Sequence, residues 1–237
     1  MVDLPTPGAL RVSALQLFCV PHAWGSAAFY RRWSESLPEW IQVRPLELPP
    51  SGSPAAGGQQ SDIGLLVRQL AGVFGNGEQQ PYVLFGHGLG GLVAYELAHW
   101  MRQHGAPEPL ALFVSGVVAP SRCDRRCVGE ACTDTWLYEP GEGDALTLSA
   151  DQSGGYRYRQ RPPLRASVHV LGRKLGEIRV DALLEWQRET CGDFSLDLLE
   201  RHHFFIQQQE ARTLRLVCRH SERHLRCWSL ERRRAAG

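Results

Sequence analysis

The stretch PYVLFGHGLGGLVAYELAHWMRQHG, residues 81–105, constrains the fold of this chain more than any other. Tyr82 to Phe85 is an apolar, strand-favouring run, and it meets glycine at 86, 88, 90 and 91. An apolar pattern with helical spacing follows and stops at Gly105. A strand that passes into a helix over so few residues needs glycine at the turn, where unusual backbone angles and close backbone approach exclude most side chains. Strand, tight turn and helix in that order belong to a βαβ unit, the element from which parallel sheets are built.

The rest of the chain repeats this alternation. Residues 14–20, ALQLFCV, read as a strand ended by Pro21, and PHAWGSAAFYRRWSESL as a small-residue turn leading into an amphipathic helix up to about Leu37. IQVRPLEL, residues 41–48, is a strand stopped by Pro49-Pro50; PPSGSPAAGGQQ is a loop, and Asp62 is placed to cap a helix over DIGLLVRQLAGVF. After the central unit come a strand at 110–116, a polar stretch at 121–155, a strand at 166–172 and a helix at 179–190. A strand at 194–200 and a closing helix from about Gln207 complete the series, and no segment repeats another. The pattern predicts an α/β fold, a mainly parallel sheet with helices on both faces.

Size and charge narrow the class further. A chain of 237 residues with 43% hydrophobic content is expected to form one domain over residues 1–237 with its own core. Lys+Arg 26 against Asp+Glu 25 leave a net charge of +1, so no overall field points to nucleic acid, an anionic membrane or acidic substrates. The start MVDLPTPGALRVSALQLFCVPHA has no charged segment followed by a long apolar core, and no run of about 18 apolar residues occurs, so a soluble, cytoplasmic protein is expected. Seven cysteines, an odd count with Cys19 and Cys191 in ordinary strand or turn contexts, fit reduced thiols better than a disulfide framework.

Four blocks carry a resemblance to a known family: LFCVPHAWGSAAFYRRWSESLP, PYVLFGHGLGGLVAYELA, PLALFVSGVVAP and FSLDLLERHHFFI. In this order, over about residues 14–217, they resemble the type II thioesterases of polyketide and nonribosomal peptide assembly lines, α/β-hydrolases that remove unwanted acyl groups from carrier-protein phosphopantetheine arms. The resemblance implies the α/β-hydrolase fold and a site built from a serine nucleophile, a histidine base, an aspartate that orients the histidine, and backbone N–H groups for the oxyanion.

That set is incomplete in this sequence. Gly86-His87-Gly88-Leu89-Gly90 follows the nucleophile-elbow pattern G-x-S-x-G, with Gly88 where the serine belongs. No other serine follows a comparable strand-Gly-x turn, and alanine would be the commoner choice for an engineered knock-out. HHFF resembles the family's HFF and puts the base at His203, with His202 beside it, on a loop at the carboxyl edge of the sheet. Packing under a lid is the alternative role for His203. The acid position falls on Leu175, and Glu177 is either a substitute acid or a solvated turn carboxylate. Oxyanion donors are expected at the N–H of Leu89 and of Ala23, because backbone donors outlast the loss of a nucleophile. His22, Trp24, His87 and His202 are the expected pocket residues, and Trp24, a large ring where the family has a small residue, either narrows the pocket or is a surface aromatic.

The polar stretch 121–155 is shorter than the family's helical lid insertion and is expected to be a reduced lid. Its Cys123, Cys127 and Cys132 match no standard zinc spacing. His220, His224 and Cys227, at i, i+4 and i+7, share one helical face and would suit a metal, but the same stripe serves helix packing; no metal and no cofactor are expected. The basic tail RCWSLERRRAAG is a solvated end or faces an acidic carrier. Three functions remain open: a non-hydrolytic enzyme (cyclisation, isomerisation or elimination) using His203 and the oxyanion hole; an inactive scaffold or chaperone that binds a carrier protein or pathway enzyme; and thioester hydrolysis by water activated directly by His203. The expected partners are a small-molecule or carrier-tethered acyl or peptidyl intermediate and, with it, an acyl or peptidyl carrier protein; no nucleic acid and no membrane are expected.

Overall fold

Short runs of apolar residues, each long enough for five to seven positions of strand, assemble into one sheet in the computed structural model. The structure describes residues 15–20, 27–47, 63–74, 80–123, 156–174, 178–200 and 205–235. The strands are β1 (Leu15–Val20), β2 (Ile41–Pro45), β3 (Tyr82–His87), β4 (Ala111–Ser115), β5 (Ser167–Arg173) and β6 (Phe194–Leu199). Their order is β2-β1-β3-β4-β5-β6, and every neighbouring pair is parallel. An all-parallel sheet must be covered on both faces, because its crossover connections return along them.

Alternation along β3 shows how both faces are filled. Tyr82 and Leu84 point into a core closed by α3 (Ile63–Ala71), α4 (Leu89–Gln103) and Trp186. Val83 and Phe85 point the other way, against Tyr30 and Trp33 of the short helices α1 (Ala28–Arg31) and α2 (Trp33–Ser36), and against the closing helix α7 (Glu210–Ala235). Tyr30, Trp33 and Phe85 meet edge to face, with ring centroids 4.9–6.0 Å apart.

The mainly parallel α/β sheet expected from the sequence is the observed one, with three local differences. The helix expected to run up to Leu37 is two four-residue pieces that meet at Arg32. The helix expected over 179–190 is α5 (Val180–Leu184) followed by a 3₁₀ turn over Glu185–Glu189. A turn with three residues per revolution superposes positions i and i+3. That brings both Trp186 and Glu189 into the core, where Trp186 Nε1 donates to the Val117 carbonyl at 3.1 Å. The closing helix begins as the four-residue α6 (Phe205–Gln208) and restarts at Glu210, whose carboxylate accepts from Arg32 and from Trp33 Nε1. Among the described residues no helix is long and apolar enough to cross a membrane.

Candidate active site

The carboxyl edge of β3 carries a sharp turn. Strand backbone continues through His87, Gly88 alone makes the reversal with φ 53° and ψ −127°, and α4 begins at Leu89. A side chain at positive φ with this ψ strains an L-residue, and glycine escapes the penalty. Gly88 N–H donates to the Ser115 carbonyl at 2.8 Å, and the Gly88 carbonyl accepts from Gly91 N–H at 2.9 Å, so the turn is tied to β4 and to the first turn of the helix. The strand and helix backbones nearly touch here: a Cβ placed on Gly86 would sit 2.2 Å from the Gly90 carbonyl oxygen, and one on Gly91 would sit 2.9 Å from Val117 Cγ1. The glycine pattern read from the sequence is thus a steric requirement of this turn.

Leu89, the first residue of α4, carries an N–H that helix geometry leaves without an intrahelical acceptor, at the positive end of a 15-residue helix. His87 is buried immediately before the turn, and its Nδ1 lies 3.1 Å from Ser115 Oγ. It is therefore part of the packing beneath the turn, on the β4 side. Val20, the last residue of β1, pairs with Gly86, so the chain leaves β1 beside the turn. The order places this spot where β2 lies on one side of β1 and β3 on the other, the switch point at which open α/β sheets collect ligands. β6 ends at Leu199, three strands from β3, or roughly 14 Å at the usual strand spacing.

Of the site residues expected from the sequence, the structure brings together Gly88, Leu89 and His87. His22, Ala23, Trp24, Leu175, Glu177, His202 and His203 lie outside the described residues, as does the reduced-lid segment beyond Cys123 up to residue 155.

Of two groups of polar side chains, one escaped sequence reasoning entirely and the other in part. Under α4, Tyr95 donates to the buried Glu189 carboxylate at 2.5 Å, and Tyr158 donates to the same oxygen at 3.4 Å. On the neighbouring turn Glu96 accepts from Tyr156 at 2.8 Å and from both terminal nitrogens of Arg161, at 2.9 and 2.5 Å. Burial and the adjoining carboxylates push the Tyr95 and Tyr156 hydroxyls far above the ordinary phenol range, which keeps them as donors. The second group is His169, His220 and His224 between β5 and α7. The helical spacing of His220 and His224 was legible, whereas His169 reads as one polar residue within the apolar strand ASVHVLG. Among the described residues no three metal-ligating side chains are arranged to hold an ion. A cavity of about 610 Å³, lined by Arg102, Leu110, Arg165, His224 and Trp228 among others, lies at the opposite edge of the sheet, where β4 and β5 begin.

Comparison with known proteins agrees with this architecture. Residues 15–139 match the thioesterase domain family model. Linear gramicidin dehydrogenase LgrE of Brevibacillus parabrevis is 27% identical over 240 residues, covering 90% of this chain and 90% of that protein. RedJ, a thioesterase from the prodiginine biosynthetic pathway in Streptomyces coelicolor, is 27% identical, with a TM-score of 0.71 over 92% of this chain and 96% of its own. BorB, the type II thioesterase from the borrelidin biosynthetic cluster, is 30% identical, with a TM-score of 0.69 over 90% of this chain and 93% of its own.

Proposed function

The chain belongs to the thioesterase family, and from that premise we propose that it acts on an acyl or peptidyl intermediate of a polyketide or nonribosomal peptide pathway without forming a covalent acyl-enzyme. The observation that carries this reading is Gly88: the strand–helix turn keeps its positive φ and its ties to Ser115 and Gly91, while the residue at its apex has no side chain to acylate. Nucleophilic catalysis at this position has no atom to work with. The N–H of Leu89, joined by that of Ala23 from the HAWG stretch, polarises a substrate carbonyl. With no side chain at residue 88, a nucleophile within the substrate itself takes the place of a serine. His203 moves the proton, taking it from the attacking or enolising centre and returning it to the developing oxyanion or leaving group. With Leu175 at the acid position, Glu177, two residues further on, is the substitute carboxylate that orients that histidine. Such a site performs cyclisation, isomerisation or elimination, on an intermediate that arrives free or tethered to a carrier protein, and no cofactor is required.

The test uses a producing strain in which the gene is deleted and then complemented. Complementation with His203→Ala should leave the mature product absent and an unrearranged or uncyclised intermediate in the extracts, read by mass spectrometry. An unchanged product would overturn the enzymatic reading in favour of a scaffold that binds a carrier protein or pathway enzyme. In parallel, the wild-type protein should release no thiol above background from a short acyl thioester. Release that disappears in His203→Ala would instead establish direct hydrolysis by activated water.

A further inference from the structure

The closing helix is fastened to the sheet by imidazoles as well as by apolar side chains. His169, in the middle of β5, is 2% exposed. Its Nδ1 lies 2.8 Å from Ser195 Oγ on β6, and its Nε2 lies 2.8 Å from Nε2 of His224 on α7. The same ring stacks on His220, with centroids 3.9 Å apart and planes 29° off parallel, and Phe113 of β4 covers another side at 5.0 Å. Two Nε2 atoms at this distance are bonded only when one proton lies between them, so that one nitrogen donates and the other accepts. If both rings are imidazolium, two N–H groups point at each other and the bond becomes a repulsion.

We propose that His169, His220 and His224 form a protonation-sensitive clasp that holds α7 on the sheet at neutral pH and releases it in mildly acidic solution. The groups around the clasp carry charges of both signs. β4 contributes Phe113, an uncharged ring. From the β6 side come Ser195, Asp197 and Asp193, and from α7 itself Arg219 and Arg223. Both carboxylates are already engaged: Asp193 pairs with Arg223 at 2.8 Å, and Asp197 lies 3.9 Å from Arg219 and 3.7 Å from His220 Nε2. On the outer side of His224 the basal cavity adds Arg102 and Arg165 against Glu108 and Glu231, with Cys227, two charges of each sign. That balance supplies no net attraction for an imidazolium, and the cavity gives water a route to the pair.

Burial above all, then the neighbouring imidazoles and arginines, lowers His169 to about 2. Burial likewise lowers His220 and His224, with Asp197 and Asp193 opposing in part. Once α7 lifts, each ring regains an ordinary pKa of about 6.5, so the released state binds more protons than the closed one. The closed state is therefore fully favoured above about pH 6.5 and weakens as pH falls below it, by up to roughly tenfold per pH unit for each histidine.

Amide hydrogen exchange of the full chain, corrected for intrinsic rates, tests the clasp at pH 7.5 and 5.5. Peptides covering residues 214–235 should lose roughly tenfold to hundredfold more protection at pH 5.5 than those of β3 and α4. In the double variant His169→Leu/His224→Leu, α7 should lose no more protection at pH 5.5 than β3 and α4 do. Equal protection of wild-type α7 at both pH values, loss in the double variant as large as in wild type, or a loss across β3 and α4 as large as in α7 would each overturn the proposal. If the double variant does not fold, imidazole NMR of the wild type decides. His169 and His224 should become protonated only in step with the loss of α7 protection, and a charged His169 under a protected α7 would refute the clasp.

Discussion

Substituting alanine for Gly88 asks directly whether the turn holds the backbone described here. Glycine-to-alanine changes at ordinary backbone angles stabilise a protein by roughly 0.4–1 kcal/mol, because the unfolded chain loses freedom. At φ 53° and ψ −127° the new Cβ enters a region L-residues avoid, at a cost of about 1–3 kcal/mol. The strain outweighs the entropy, and Gly88→Ala should lose about 1–2 kcal/mol of stability. For a chain of this size that is about 2–8 °C in melting temperature. Gly105 calibrates the measurement: its φ is 67° and a Cβ there would meet nothing within 4 Å, so Gly105→Ala reports the backbone angle alone. Urea unfolding of both variants beside the wild type gives the two costs. If Gly88→Ala were as stable as wild type or more so, the turn would not hold the conformation on which the proposed site depends, and the reading of a preserved elbow would fall. Gly88→Ser should pay the same backbone cost and acquire a hydroxyl at the apex.

The remaining expectations concern chemistry and packing. Serine-directed fluorophosphonates should leave the wild-type protein unlabelled and should label Gly88→Ser at residue 88, read by peptide mass spectrometry. The pair Gly88→Ser with Leu175→Asp should hydrolyse a short acyl thioester far faster than either single change, since groups that act as a unit are non-additive. Gly86→Ala should cost at least about 3 kcal/mol in urea unfolding, because its Cβ would lie 2.2 Å from a backbone oxygen that cannot rotate away. Tyr95→Phe should cost about 1.5–3 kcal/mol by removing the closer donor to the buried Glu189 carboxylate, with no comparable loss for Tyr158→Phe, whose bond is long. His99, buried on α4, is lowered to about 3 by burial and by Arg161 and Arg102, so its neutral form stabilises the fold fully above about pH 6.5 and that contribution fades as pH falls. Between pH 6.5 and 5 the wild type should lose roughly 1.5 kcal/mol through this group alone, and His99→Leu should flatten the urea-midpoint profile accordingly.

The parts of the fold legible in the sequence are those fixed by local pattern. Tyr82 to Phe85 before four glycines announces the turn because only a strand packed hard against a helix needs that spacing, and the alternation of apolar runs with helical spacing announces the parallel sheet. Short helices were less legible. Nothing in AFYRRWSES marks the break at Arg32, and the 3₁₀ turn at 185–189 arises because Trp186 and Glu189 both reach inward, a tertiary demand that overrides local preference. Polar pairs were not legible at all: Tyr95 and Glu189 are 94 positions apart, and His169 and His224 are 55 apart. No periodicity links such residues, and only the sheet order brings them together. In the candidate site, Gly88, Leu89 and His87 were located by the turn pattern, and His87 proved to be packed against Ser115 beneath it.

The clamp on Glu96 has a consequence for how this architecture can be rebuilt. β4 pairs directly with β5, so the sheet keeps no record of what the chain does between them. On one side of that interval Arg122 is tied to Glu185 and Cys123 is buried; on the other, Tyr156 and Arg161 are both locked onto Glu96. These anchors form two fixed posts, each secured to the body of the protein independently of the other. For a protein engineer these posts are the points at which a graft between β4 and β5 should be joined, since the β4–β5 pairing and both anchors lie outside it. Segments grafted from relatives, or a whole folded module, should be accepted there as long as Glu96, Tyr156 and Arg161 are kept.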